Sequence, residues 1–321
     1  MIYTVLIIGL GQIGAGYDIQ HDADTFALTH ARAFHRHTGF RLIGGVDLEL
    51  AMRNRFESAY GLPAFDDVRY SVSHLKPDIV VISTPTSEHA KTVQEVLAAG
   101  KPLAIICEKP LSYNYEEAKQ IVSTVAEHGC QLFVNYMRIS NTGVLEVKRR
   151  IQEDLIQGPF KGVVWYSKGL FNNGSHFLNL LEFWLGRVVE SHVLTSGRNW
   201  DGHDPEPDLA IDFKNGRVYF LAAREEEFSH YTIELVAKNG RLRYEAGGEK
   251  IMWQRIVTDP AFQGYTVLDS TAEEITSNFN QVQFQVVDEL YKALQEKSQQ
   301  ICTGEAALQT LKVLANIEAK L

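Results

Sequence analysis

Tyr3–Ile8 (YTVLII) is an unbroken apolar run that ends on Gly9-Leu10-Gly11-Gln12-Ile13-Gly14. No other stretch restricts the fold so strongly. Short apolar runs of this kind suit a fully buried parallel strand. A GxGxxG set directly between such a strand and helical sequence is the turn of a dinucleotide-binding βαβ unit. Gly9 permits the tight turn, Gly11 lets the backbone approach a pyrophosphate, and Gly14 lets helix and strand pack closely. A helix opening near Gln12 would offer N–H groups and a partial positive charge to the phosphates. Gly9, Gly11, Gln12, Ile13 and Gly14 are therefore candidate cofactor-binding residues.

The pattern after this turn alternates. Strands are expected at Phe40–Val46, 78–83, 103–107 and 132–135, with helices at 30–37, Leu50–Tyr60, 88–99 and 115–128. Gly61 and Pro63, Gly100 and Pro102, and Gly129 supply the stops. Such alternation implies an α/β doubly wound parallel sheet, the Rossmann architecture. Residues 17–29 (YDIQHDADTFALT) are polar and irregular and read as an inserted loop. Asp47 ends the second strand, where a carboxylate accepts hydrogen bonds from ribose hydroxyls and repels a 2′-phosphate. That favours NAD over NADP. The insert explains why Asp47 lies further from Gly14 than the usual roughly 20 residues. Arg53 and Arg55 lie nearby in sequence and keep NADP open.

From about 160 to 255 the pattern becomes strand-rich, at 162–167, 188–195, 209–213, 217–222, 231–237 and 241–245. Lys214-Asn215-Gly216 and Lys238-Asn239-Gly240 read as hairpin turns. One helix, Ser175–Leu185, interrupts this α+β domain with its large, mostly antiparallel sheet. Two helices close the chain, one with Phe284, Val287, Leu290 and Leu294 at helical spacing, the other over 304–321. The expected partition is 1–135 for dinucleotide binding and 136–321 for substrate binding and oligomerisation, with the C-terminal helix packing back on the first domain.

Composition excludes other classes. The 321-residue chain carries a formal net charge of −9, which disfavours nucleic acid or an anionic membrane as partner. Its three cysteines, Cys107, Cys130 and Cys302, form no CxxC and fit a reducing compartment. No apolar run reaches membrane length, and the first residues lack the basic region of a signal peptide. A cytoplasmic location is the expectation. Asp201, His203, Asp204 and Asp208 have no metal-ligand spacing, so no metal is expected; their segment, 197–208 (GRNWDGHDPEPD), reads as a loop and a candidate lid.

Two further motifs follow predicted strands: Thr84-Pro85-Thr86-Ser87-Glu88-His89, of the form TPxxxH, and Glu108-Lys109-Pro110-Leu111. Together with the glycine turn they resemble the glucose–fructose oxidoreductase / inositol dehydrogenase family. The resemblance covers most of the chain. It is strong over the first 138 residues and the C-terminal helix and looser through the sheet domain. It implies NAD(P)-linked hydride transfer at a hydroxyl or carbonyl carbon of a sugar, polyol or sugar derivative. It also implies that Glu108 and Lys109 lie beside the nicotinamide, that Thr84, Pro85 and His89 line the cofactor side, and that a cis peptide precedes Pro110. Relatives pair their second-domain sheets, implying a homodimer or homotetramer.

The family pattern DxGxHxxD falls here on Asn172-Asn173-Gly174-Ser175-His176-Phe177-Leu178-Asn179. Gly174 and His176 match, but both aspartate positions are asparagine, which can hold a substrate hydroxyl and cannot take its proton. Acid–base work then falls to Lys109 and His176. Either His176 is the base with Lys109 as electrostatic partner, or Lys109 is the base and His176 binds substrate. Asn172, Asn179, Tyr136 and Arg138 are candidate substrate contacts; Arg138 suits a carboxylate or phosphate, as in an acidic sugar or sugar nucleotide. Lys168 and Trp165 are weaker candidates. Two alternatives stay open: an NAD-using redox-neutral glycosidase on the same scaffold, and a non-catalytic dinucleotide-binding sensor.

Overall fold

The computed structural model describes residues 2–223 and 228–321. The chain divides into two compact units: residues up to Ser140 with Asn280–Gln309, and Asn141–Phe279 with Thr310–Leu321.

The first unit runs β1 (Tyr3–Ile8), α1 (His30–Arg36), β2 (Phe40–Val46), α2 (Leu50–Tyr60), β3 (Ala64–Phe65), α3 (Val68–Leu75), β4 (Ile79–Ile82), α4 (His89–Ala99), β5 (Ala104–Cys107), α5 (Tyr115–Glu127) and β6 (Gln131–Val134). The strands lie in the order β3-β2-β1-β4-β5-β6, and all their pairings are parallel. Every residue of β4 and β5 is buried, as a sheet covered on both faces requires. Val5 pairs with Leu42 on one side and Ile79 on the other. The strand order reverses between β1 and β4, the point where open α/β sheets take ligands. The glycine turn leaves β1 there.

Local chemistry sets the helix ends. The side chains of Thr29, Asp67 and Asn114 accept from backbone N–H groups at the starts of α1, α3 and α5, and Gly61 ends α2 at φ 64°. Three elements differ from the sequence expectation, the two-residue strand β3 among them. The helix expected from Gln12 is a single five-residue turn, Gln12–Gly16, because the insert interrupts it before His30. The dipole expected there therefore shrinks to that of one turn. The sequence pattern also names no helix at α3, whose Val68, Ser71 and Val72 are poor helix formers; the Asp67 cap was the available signal.

The second unit contains α6 (Thr142–Gln152), β7 (Phe160–Tyr166), α7 (Ser175–Leu185), β8 (Val188–Trp200), β9 (Asp204–Phe213), β10 (Gly216–Ala222), β11 (Thr232–Ala237), β12 (Gly240–Glu245), β13 (Lys250–Thr258), β14 (Thr266–Leu268) and β15 (Glu273–Ile275). Its strands follow the order β14-β13-β12-β11-β7-β10-β9-β8, with β15 on β13. The β7–β10 pairing is parallel and the others are antiparallel. Phe177, Leu180, Leu181 and Trp184 of α7 are buried, each worth about 1.5–3 kcal/mol of hydrophobic stabilisation.

The segment 197–208, read from sequence as a loop or lid, is a hairpin. Arg198 pairs with Glu206 and Trp200 with Asp204, across register shifts in β8. Gly197 sits at a shift with φ +68°, where a Cβ would meet the Glu206 carbonyl at 1.9 Å. Pro205 and Pro207 lie where β9 pairs with β8 and beyond its pairing with β10. Glycine and proline signal loops in general; at a bulge and along a singly paired stretch they are compatible with a strand.

Helices α8 (Val282–Leu294) and α9 (Gly304–Glu318) end the chain. Val286, Val287 and Leu290 of α8 share a core cluster with Phe34, Phe40 and Ile79, so α8 belongs to the first unit, whereas the sequence partition placed it in the second. Helical spacing shows that a face is apolar and does not show which sheet it covers. No helix among the described residues is long and apolar enough to cross a membrane.

Candidate functional site

In the first unit the glycine turn is built by close contact. Gly9 has φ +92°, and a Cβ on it would lie 2.5 Å from the Ser83 carbonyl oxygen; one on Gly14 would lie 2.1 Å from that of Gly9. Both positions exclude a side chain. Gly11 differs: a Cβ there meets nothing within 4 Å, and Gly11 borders a cavity of about 750 Å³ shared with Gly9, Asp47, Thr84, Pro85 and Glu88. The Thr84 hydroxyl oxygen is buried with no hydrogen-bond partner among the described residues. An open backbone, an acid at the end of β2 and a hydroxyl awaiting a polar group fit a dinucleotide. Gln12 is exposed and Ile13 half-buried in the short turn that follows.

Asp47 is fixed at both oxygens. Leu10 N–H donates to Oδ2 at 2.7 Å and Glu49 N–H to Oδ1 at 2.9 Å. The two nearby arginines hold carbonyls: Arg53 reaches those of Asp47 and Leu48 at 2.8 Å, and Arg55 that of Leu10 at 2.6 Å. They brace the turn and the loop after β2.

His89 is fully buried at the start of α4. Its Nε2 lies 3.0 Å from the Thr84 carbonyl and its Nδ1 3.3 Å from that of Leu111. Burial pushes its pKa down. His89 thus joins the TPxxxH segment to the EKPL segment, a tie that spacing alone does not reveal. The Lys109–Pro110 peptide is cis.

Glu108 follows β5 and is held from several sides. His30 Nε2 lies 2.7 Å from its Oε1, Asn135 Nδ2 donates to the same oxygen at 2.6 Å, and the Lys109 N–H approaches Oε2 at 3.3 Å. Burial acts to raise this carboxyl, but the His30 and Asn135 hydrogen bonds and the Lys109 charge hold it below the usual glutamate value. Tyr136 and Arg138 follow β6 and are 3% and 7% exposed. His30 carries no site signal in the sequence pattern.

In the second unit His176 stands in the first turn of α7 and is 6% exposed. The turn before it, Gly169–Gly174, is anchored by Asp204. Phe171 N–H donates to Asp204 Oδ1 at 2.9 Å and Asn172 N–H to Oδ2 at 2.8 Å. Glu206, two residues on, accepts from Gly169 N–H at 3.2 Å and from Arg198 at 2.8 Å. Burial holds the Asp204 carboxyl above its usual value, and the Phe171 and Asn172 amides offset only part of that rise. Asn179 donates through Nδ2 to the Thr310 hydroxyl at 3.1 Å, and Thr310 in turn donates to Glu182. Trp165 is 39% exposed on β7, and Lys168 opens the 169–174 turn at φ 63°.

In the sequence Asp204 stands only among acids and a histidine without metal-ligand spacing. It is a backbone anchor, reached across the β8–β9 hairpin that the sequence pattern did not show. Replacing Asp204 with alanine should cost at least about 1–3 kcal/mol, the scale for leaving buried N–H groups unpaired. Urea unfolding followed by tryptophan fluorescence checks this. An unchanged midpoint would mean that water satisfies those amides.

Among the described residues, side chains do gather at Glu190, His192 and Asp212, but Asp212 is already held by Arg217 through two contacts of 2.6 Å.

Residues 3–136 match a family model described as an oxidoreductase family with an NAD-binding Rossmann fold, and residues 167–319 match that family's C-terminal alpha/beta domain. The chain belongs to the GFO/IDH/MocA oxidoreductase family. The inositol 2-dehydrogenase of Rhizobium meliloti is 27% identical over 153 residues, covering 47% of this chain and 42% of that protein. The 2,7-anhydro-N-acetylneuraminate hydratase of Mediterraneibacter gnavus is 23% identical over 208 residues, covering 59% of this chain and 52% of that protein. The matches to the inositol 2-dehydrogenases span about two fifths of their length.

Among solved structures, the WlbA dehydrogenase of Bordetella pertussis, in complex with NADH and UDP-GlcNAcA, shares 16% identity at TM-score 0.73, covering 98% of this chain and 94% of that one. The UDP-N-acetylglucosamine 3-dehydrogenase of Acidithiobacillus ferrooxidans shares 14% at TM-score 0.75, covering 99% and 97%. At these identities the likeness is one of fold. The GFO/IDH/MocA chain described here thus has an NAD-binding Rossmann unit and a mixed, mostly antiparallel second sheet, as its sequence indicates.

Proposed function

We propose that this GFO/IDH/MocA family member is an NAD-dependent oxidoreductase that moves hydride between nicotinamide and a CH–OH or carbonyl carbon of a sugar, polyol or sugar derivative. The observation that carries this reading is the placement of Glu108–Lys109 at the end of β5, in the same sheet whose β1 turn is open at Gly11 and braced by Asp47. Gly9, Gly11, Gln12, Ile13 and Gly14 would hold the pyrophosphate, and Asp47 the adenosine ribose. The ties on Arg53 and Arg55 favour NAD over NADP, because a 2′-phosphate would have to compete for guanidinium groups already engaged. Thr84 and Pro85 would face the cofactor, with His89 fixing Thr84 from behind. The bound nicotinamide supplies hydride acceptance and return.

The chain's own groups handle the proton. Lys109 would meet the reacting oxygen, neutralising its developing charge. His176 would accept the hydroxyl proton, since Asn172 and Asn179 have no basic atom. Tyr136 and Arg138 are proposed substrate contacts, with Arg138 selecting an acidic sugar or sugar nucleotide. A panel of polyols, sugars and sugar acids assayed for NADH formation tests the reading. No turnover with any member, despite dinucleotide binding, would favour a sensor.

A second reading has one specific support: the relative from Mediterraneibacter gnavus is named a hydratase, so a redox-neutral reaction on this scaffold also accords with the family. Product formation without net NADH would select it.

A homodimer or homotetramer through the second sheet is also proposed. Val189, Leu194 and Val236 are 73%, 51% and 52% exposed on its strands, and a mostly antiparallel sheet exposes one face unless something covers it. Sedimentation at micromolar concentration should show more than a monomer; a strictly monomeric profile would count against it.

A further inference from the structure

Four polar side chains from separate parts of the first unit meet out of solvent: His30 at the start of α1, Glu108 after β5, Asn135 after β6 and Gln283 in the first turn of α8. The His30 and Gln283 side chains are fully buried, Asn135 is 3% exposed, and the Glu108 side chain 12%. Their contacts fix the protons. A carboxylate only accepts, so the Asn135 atom 2.6 Å from Glu108 Oε1 is its amide nitrogen. That nitrogen also faces Gln283 Oε1 at 3.3 Å. Gln283 therefore turns its Nε2 toward His30 Nδ1, at 2.8 Å. Nδ1 is then an acceptor, the ring proton sits on Nε2, and Nε2–H donates to Glu108 Oε1 at 2.7 Å. Each of these links has one donor and one acceptor when Glu108 is ionised; Asn135 Nδ2 also lies 3.5 Å from His30 Nε2, where two donors face each other and no hydrogen bond forms.

The sheet says where this anion lies. The crevice opens where the strand order reverses, between β1 and β4. Asp47, the ribose acid, ends β2 on one side. Glu108 follows β5 on the other, the side left for the nicotinamide. We propose that Gln283, His30 and Asn135 are positioning residues that hold an ionised Glu108 at the nicotinamide end of the crevice. We propose further that this fixed anion makes the chain bind oxidised nicotinamide, which carries a positive charge, in preference to reduced nicotinamide, which does not. A fixed charge at the edge of a partly dry site acts on the charged form alone. Lys109 opposes the effect but is common to every variant compared below. The proposal rests on the NAD-binding reading given above.

Calorimetric titration with NAD+ and with NADH tests it. In Glu108→Gln, NAD+ should bind about tenfold more weakly, with the NADH affinity within about twofold of that of the unsubstituted chain. Gln283→Leu, which frees the His30 ring to take the other tautomer, should move the ratio of the two affinities in the same direction by a smaller factor. The nitrogen NMR spectrum of His30 in the unsubstituted chain should show the Nε2–H tautomer, independently of either variant. A merely structural network would lower both affinities together. An unchanged ratio in both variants, or a His30 ring protonated on Nδ1 alone, would overturn the proposal while leaving NAD binding in place. Failure of the unsubstituted chain to bind either dinucleotide would overturn the NAD reading and this proposal with it.

Discussion

Gly11→Ala should bind NAD about tenfold to a hundredfold more weakly than the unsubstituted chain and unfold at the same temperature. The two halves of this result have separate causes. The added methyl meets nothing within 4 Å, and φ at Gly11 is −64°, so the folded state takes alanine without strain. Gly11 lines the cavity bordered by Gly9, Asp47 and Thr84, so the same methyl should stand on the proposed approach of the pyrophosphate to the backbone. Losing one charge-assisted hydrogen bond costs about 1.5–3 kcal/mol, which converts to the affinity change given. Gly14→Ala is the contrast, since its Cβ would meet the Gly9 carbonyl oxygen at 2.1 Å and should lower stability and binding together. Calorimetry with NAD beside a thermal melt reads both. Equal affinity in Gly11→Ala would place the dinucleotide elsewhere.

The second large effect concerns the proton. Lys109→Ala and His176→Ala should each lower kcat by about 10²–10⁴-fold, the range for a positioned acid–base or charge-stabilising group. The pH profiles then assign roles. If His176 is the base, His176→Ala removes the acidic limb of the kcat profile, and Lys109→Arg, which keeps the charge, recovers part of the loss. If Lys109 is the base, Lys109→Arg recovers nothing and His176→Ala acts mainly on KM. Groups that act as a unit give strongly non-additive double mutants, so a double variant no worse than either single one would support joint action. Turnover unchanged in both would remove the pair from the mechanism.

Much of this was legible in the residues. The apolar run of β1 and the three glycines of its turn specify a strand and a close-packed turn by sterics alone, and the strands of the first sheet lie where apolar runs meet glycine and proline stops. Side-chain networks were not legible. His30, Asn135 and Gln283 are scattered over the chain, and their meeting around Glu108 depends on how α1, β6 and α8 pack, which no local pattern encodes. Asp204 was hidden by a different cause: the glycine and prolines around it signal a loop, and only pairing with β8 turns them into a strand that delivers the carboxylate beneath Asn172. The short Gln12–Gly16 turn shows the same limit, because helical propensity there says nothing of where the insert cuts the helix. The asparagines at 172 and 179, which set this chain apart from the family pattern, were visible from sequence. Their neighbours Asp204 and Thr310 were not.

The most direct measurement follows isotope from substrate carbon to cofactor. The chain is incubated with NAD+ and polyols or sugars deuterated at the carbinol carbon, and the dinucleotide is recovered for mass spectrometry. At least one substrate should yield NADH carrying deuterium at the nicotinamide C4, with the label lost in Lys109→Ala. A dinucleotide that stays unlabelled with every substrate, or one that the chain does not bind at millimolar concentration, would contradict hydride transfer at this site.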